Sequence, residues 1–236
     1  MTDKPLEGRL ALVTGASRGI GAATAIALAA EGAHIILTAR TTGGLEEVED
    51  AIYAAGGSAT IAPVDLYDRT AIPQLVSAIA ERWRALDMLV LNAGALGTLG
   101  PVPSFDLKEF DKVMALNVTA NAALIAAFSP MLRLARSGRV VGVTSSVGAA
   151  PRAYWGMYGA SKAAFDNIIA SYGLEMANIS PVRTAIVDPG ATRTKMRERA
   201  YPGEDPQSVK PPERVADAIV RLMADGFDSG TRIRVD

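Results

Sequence analysis

The sequence predicts an α/β fold, a single-domain doubly wound parallel sheet with helices on both faces. Three observations carry this. Short, uniformly apolar runs alternate with longer helical patterns along the chain. The first such run ends in a glycine-rich turn that opens a helix. Hydrophobic residues make up 49% of 236, enough to bury one core of the larger kind. Strands without polar alternation are covered on both sides, which is the mark of a parallel sheet between two helical layers.

The elements follow in order. Arg9 to Val13 is the first strand, Ala22 to Glu31 a helix, and Ala33 to Thr38 the strand that completes a βαβ unit. A helix near Leu45 to Ala55, a strand near Ala59 to Val64, a helix near Thr70 to Arg84 and the strand Met88 to Leu91 continue the alternation. Asp106 to Arg136 then reads as one long helix, Arg139 to Thr144 as a strand, Met157 to Ala177 as another long helix and Arg183 to Val187 as a strand. The helix Pro212 to Met223 and the strand Thr231 to Val235 close the pattern. No repeat or composition break divides residues 1–236. The segment around 194–212 carries four prolines and many charges, so it reads as an excursion from the core, either a mobile substrate lid or an ordinary surface loop.

The composition excludes several classes. A net charge of -1, with both signs dispersed, leaves no basic footprint for nucleic acid and no polybasic tail for a membrane. The absence of cysteine removes disulfides, thiol nucleophiles and thiolate metal sites. With a single histidine, His34, in an apolar run, no metal is expected and His34 reads as structural. MTDKPLEGRL lacks the apolar core of a secretory signal, and AIALAAEGAHIIL is broken by Glu31 and Gly32 short of a membrane span, so a soluble cytoplasmic protein is expected.

TGASRGIG, Thr14 to Gly21, lies between the first strand and the first helix, where a helix N-terminus meets a nucleotide phosphate. Gly15 can turn sharply, Gly19 lets the backbone approach a pyrophosphate and Gly21 lets the helix pack closely. Ser17, Arg18 and Ile20 complete the cradle. The spacing G-x-x-x-G-x-G is neither that of ordinary dehydrogenases nor that of a P-loop.

Tyr158 and Lys162 stand four residues apart in a helical stretch and so share a face. A nearby ammonium favours the phenolate, so Lys162 is expected to draw the Tyr158 pKa down from about 10 and equip it as a general acid/base. An isolated pair of this kind also arises by chance on many helices.

TGASRGIG, LNAG (Leu91 to Gly94), ALNV (Ala115 to Val118), TSS (Thr144 to Ser146), YGASK (Tyr158 to Lys162) and DPG (Asp188 to Gly190) occur in one order. In that order the chain resembles the classical short-chain dehydrogenases/reductases, and MRERAYPGED is similar to their bacterial YciK-like branch. The resemblance implies a Rossmann fold and a hydride passed between nicotinamide and a carbonyl/alcohol carbon, with Tyr158 handling the oxygen's proton. It implies that Lys162 holds the nicotinamide ribose and that Ser145 polarises the substrate. Ser145 is chosen over Ser146 because Gly148 and Tyr158 then fall at the family's offsets; were Ser146 the partner, Ser145 would be a turn residue. Asn117 matches the family asparagine that supports a water-linked proton path. Asn92, Ala93 and Gly94 match the segment shaping the adenosine side, and Asp65 with Leu66 stands where relatives meet adenine, although an Asp there equally caps a turn. Pro189, Gly190, Thr192 and Thr194 match the segment beside the nicotinamide. Tyr154, Trp155, Met157 and Tyr201 could line an aromatic substrate wall or serve as packing.

The end of the second strand carries Ala39 where a carboxylate would bind the 2′-hydroxyl of NAD, with Arg40 beside it and Arg18 in the turn. Two guanidiniums without a carboxylate favour NADP(H), while two solvated arginines would still admit NAD(H). The partners expected are a small-molecule carbonyl/alcohol substrate and further copies of the chain in a homodimer or homotetramer. A catalytically silent NADP-binding sensor or scaffold on the same fold is the alternative, and an isomerase or epimerase a lesser one.

Overall fold

The structure, a computed structural model, describes residues 4–68 and 70–236. The first three residues of the N-terminal stretch read above lie outside it. Among the described residues, seven parallel strands form one sheet in the order β3-β2-β1-β4-β5-β6-β7: β1 (Leu10–Thr14), β2 (His34–Thr38), β3 (Ser58–Ile61), β4 (Met88–Leu91), β5 (Arg139–Val143), β6 (Arg183–Asp188) and β7 (Thr231–Arg234). The chain leaves β1 in both directions, through β2 to β3 and through β4 to β7, so the C-terminal ends of β1 and β4 flank a crevice at the switch point.

Strand alternation loads both faces. Ala11 and Val13 of β1 face one apolar layer, Leu10 and Leu12 the other. The first layer packs against α1 (Gly19–Ala30), α2 (Thr42–Ala54) and α9 (Glu213–Asp225), through residues such as Leu28, Leu45 and Ile219. The second packs against α3 (Ala71–Ala80), α5 (Asn121–Leu134) and α7 (Gly156–Met176), through Leu75, Phe128 and Ile169. His34 is a packing residue, its ring nitrogens 2.9 Å from Ser58 Oγ and 2.9 Å from Thr60 Oγ1.

The helix expected over 106–136 is α4 (Leu107–Met114) and α5 joined by a π-helical turn, Ala115–Ala120. The side chain of the buried Asn121 donates to the Leu116 carbonyl (3.1 Å) and to the Asn117 carbonyl (3.0 Å), two acceptors that the widened turn would leave poorly satisfied. By length and composition Leu107–Leu134 could cross a membrane; here its Leu124, Phe128 and Leu132 are buried against the sheet.

Two short helices were not anticipated: α6 (Ser146–Ala149) and α8 (Lys195–Ala200), the latter inside the 194–212 excursion. Thr194 caps α8 by accepting from the Arg197 amide at 3.1 Å, and Arg197 forks onto Glu204. Thr192 bridges Lys210, so the excursion closes on itself as a compact loop.

Candidate active site

The C-terminal strand ends open onto a cleft of about 770 Å³ that runs from the glycine-rich turn to Tyr158. Thr14, at the tip of β1, ties the two strands that bound it. Its hydroxyl accepts from the Asn92 and Ala93 amides at 2.9 and 3.0 Å and donates to the Val90 carbonyl at 3.2 Å. Asn92 returns the contact, its amide donating to the carbonyls of Thr14 (2.9 Å) and Gly15 (3.2 Å). This lock, which sequence reasoning did not assign to Thr14, presses the turn onto the end of β4.

The glycines answer to that pressure. Gly15 and Gly19 adopt φ of +64° and +57°, conformations that favour glycine. Gly21 does not line the cleft: it lies beneath the turn, where a Cβ would collide with the Gly15 carbonyl and the Asn92 amide. The missing side chain is what lets the helix pack this closely beneath the turn. Gly15, Ser17, Arg18, Gly19 and Ile20 line the cleft floor. Arg18 at the N-cap of α1 makes no side-chain cap and no acidic residue sits in the first turn, so neither offsets the positive end of the helix.

Arg40 borders the same end of the cleft, its guanidinium 5.8 Å from the centre of the Tyr67 ring. Asp65 and Leu66 also border it, but one Asp65 oxygen accepts from the Tyr67 amide at 3.0 Å, the turn-capping alternative for this residue. Asn92, Ala93 and Gly94 form the middle wall, and Pro189, Gly190, Thr192 and Thr194 the facing one. Thr192 Oγ1 donates to the Pro189 carbonyl at 2.8 Å, which fixes the bend after β6.

At the far end stand Ser145, Tyr158 and Lys162. Close packing of α7 on the sheet brings them there. Gly142 of β5 leaves no Cβ, the Phe165 ring fills that space, and Gly148 and Gly159 let α6 and α7 touch backbone to backbone. Lys162, 4% exposed, then donates from Nζ to the Val143 carbonyl at 2.8 Å. Burial brings its pKa down to about 8 against the opposing pull of Asp166.

Tyr158 behaves opposite to expectation. Burial raises its pKa well above the ordinary 10, and the carboxylates of Asp188 and Asp166 push the same way. The expected lowering by Lys162 considered charge alone; removal from water disfavours the phenolate more strongly. The Tyr158 hydroxyl lies 3.9 Å from Met196 Sδ on α8.

Asn117 does not line the cleft. It is fully buried in the π-helical turn, where Oδ1 accepts from the Ala95 amide at 2.7 Å while Nδ2 donates to the Ala95 carbonyl (2.8 Å) and to Ser161 Oγ (2.9 Å). The side chain thus ties the loop after β4 to α7. Gly94 lies between them: a Cβ there would sit 3.2 Å from Asn117 Oδ1 and 3.7 Å from Lys162 Nζ. Residues that sequence reasoning missed include Thr41, Tyr67, Leu116 and Arg193, whose places along the cleft depend on the crossings of separate loops.

With the turn, the cleft and the Ser145, Tyr158 and Lys162 constellation described, comparison with known proteins decides the family. Residues 9–205 match the family model of short chain dehydrogenases. The chain belongs to this family. It is 36% identical to the oxidoreductase YciK of Escherichia coli K12 over 98% of this chain and 92% of the relative. A short chain dehydrogenase of Escherichia coli CFT073, solved in complex with NADPH, superimposes with a TM-score of 0.94 at 34% identity, covering 100% of both chains. One from Shigella flexneri 2a, solved with NADP, gives 0.94 at 33% identity and 99% of each chain. In the short chain dehydrogenase order of motifs, the YciK-like reading of the segment after Gly190 stands.

Proposed function

We propose that the protein is an NADP(H)-dependent oxidoreductase that interconverts a carbonyl and an alcohol, with Tyr158 as general acid/base. One observation carries this reading: a single cleft joins an anion-ready helix N-terminus with two arginines at one end to Ser145, Tyr158 and Lys162 at the other. The residues fit the nucleotide. Gly15 and Gly19 bring backbone amides to a diphosphate, α1 supplies its positive end, and Arg18 and Arg40 suit a 2′-phosphate with Ala39 offering no opposing carboxylate. That the solved relatives hold NADP or NADPH supports the same choice.

The nicotinamide, when bound, supplies the hydride to the substrate carbon or takes it up. Tyr158 keeps its proton in the buried site, as an acid for reduction requires, and passes it to the carbonyl oxygen as negative charge develops there. Ser145 donates a hydrogen bond to that oxygen. Lys162 stays cationic below pH about 8, stabilises the tyrosinate left behind and offers Nζ to ribose hydroxyls. Asn117 holds Ala95 and Ser161, and with them the spacing between the loop after β4 and α7. The 194–212 segment acts as a lid, because α8 places Met196 over the Tyr158 hydroxyl and must shift to admit substrate. Exposed Leu134 and Leu174 on the two long helices provide faces for a homodimer or homotetramer.

The test is a fluorescence titration with NADPH and NADH, followed by NADPH absorbance against a panel of ketones, aldehydes and diketones. Preferential NADPH binding with consumption by a panel member is the expected result; absence of nucleotide binding would overturn the assignment of the cleft.

A further inference from the structure

We infer that the substrate carries a carboxylate, received by Arg152 in a cavity beside Ser145, on an apolar body packed near Tyr158. This rests on the oxidoreductase reading above and names the chemistry of its substrate.

The cavity has a volume of about 200 Å³ and includes Ser145, Arg152, Trp155, Arg197, Tyr201 and Arg234 in its lining. Ser145, Trp155 and Arg197 border both it and the main cleft, so the two spaces meet where a substrate carbonyl would sit. Its cations are not equivalent. Arg234 pairs with Asp188 and Asp236, and Arg197 is forked onto Glu204. Arg152 pairs with no carboxylate among the described residues. Its Nη1 donates to the Tyr201 hydroxyl at 2.6 Å, and its guanidinium lies 5.7 Å from the centre of the Trp155 ring. Tyr201 is held in turn by the Arg197 guanidinium, 3.7 Å from its ring centre.

The result is an exposed guanidinium hydrogen-bonded to Tyr201 and near the Trp155 ring, with no carboxylate partner among the described residues. Such a fork matches a carboxylate in geometry and in charge. Beside Tyr158 the main cleft is lined by the apolar Leu96, Trp155, Met196 and Ala200. Leu96, Val147 and Tyr158 form a small cluster with Leu99, Met196 and Ala200 packed against it. An aromatic or aliphatic carbonyl compound bearing a carboxylate at its far end satisfies both regions at once.

The experiment is isothermal titration of NADP⁺-saturated protein with 4-formylbenzoate and with its methyl ester, in wild type, Arg152→Gln and Tyr201→Phe. The acid is expected to bind at least about tenfold more tightly than the ester. That advantage should shrink as salt rises and vanish in Arg152→Gln. Tyr201→Phe removes the hydroxyl partner but keeps the ring and the charge, so it should retain the preference; a merely structural Arg152–Tyr201 bond would make the two variants alike. Retained NADP⁺ binding serves as the check that each variant is folded. Equal affinity for acid and ester, a preference that survives Arg152→Gln, or no binding of the acid would overturn the inference while leaving the cofactor reading intact. Failure of the wild type to bind NADP⁺ would overturn that reading and the inference with it.

Discussion

Lys162 Nζ lies 5.8 Å from the centre of the Tyr158 ring and directs a hydrogen bond to the Val143 carbonyl. One helical turn separates the two residues, yet burial governs both: the ammonium titrates near 8 and the phenol above its ordinary value. The pair is therefore held as neutral phenol beside ammonium at neutral pH, the state that the proposed reduction requires.

The depressed lysine makes stability depend on pH in a defined direction. Below pH about 8 both folded and unfolded chains hold the Lys162 proton, and the cost of burying the charge is present in full. Between about 8 and 10.5 the folded chain releases it first, the unfolded chain binds more protons, and stability rises with pH. Denaturant unfolding at pH 7 to 9.5 should show wild type gaining up to about 1.4 kcal/mol per pH unit relative to Lys162→Met. A gap independent of pH would contradict the burial argument.

Gly21→Ala should cost about 1–3 kcal/mol, because the added methyl meets backbone and the Asn92 amide in a packed corner. NADPH affinity should fall as well, since Gly15 must shift to make room. Urea unfolding together with NADPH titration checks both; an unchanged midpoint would show that α1 can retreat.

Arg40→Asp should weaken NADPH by about 10- to 100-fold while NADH changes by less than about threefold. Arg40 is exposed and its recorded contact is the Tyr67 ring, so folding is spared. Equal losses for both nucleotides in titration would remove Arg40 from 2′-phosphate recognition.

Tyr154 has φ of +71° and is 65% exposed, the one non-glycine in the left-handed region among the described residues. The Gly100 amide donates to its carbonyl at 2.9 Å and helps hold the strained loop just before Trp155. Tyr154→Gly should raise stability by about 1 kcal/mol, which thermal unfolding would register as a higher midpoint.

Much of this architecture is legible in the sequence. Met88 to Leu91 is read to the residue, and the other strands to within one to three, because strands covered on both faces read as uniformly apolar runs between helices. Ser145, Tyr158 and Lys162 meet at one end of the cleft as their motifs imply. The π-helical turn at Ala115–Ala120 is hidden because one extra residue per turn barely disturbs an apolar stripe. Helix α8 is hidden for a different reason: KMRERA is short and charged, follows Thr194 and precedes Pro202, and takes its shape from the Arg197 fork and the Thr194 cap. The Tyr158 pKa went the other way because spacing reveals its neighbour and not its burial. The same holds for Asn117, whose three hydrogen bonds run to residues 22 and 44 positions away.

The most direct measurement compares wild type with Tyr158→Phe for NADPH binding and for NADPH consumption with a carbonyl substrate. The proton is what the substitution removes, so NADPH affinity should stay within about twofold while kcat/KM falls by at least about 100-fold. Turnover within tenfold of wild type would contradict the assignment of Tyr158 as the acid.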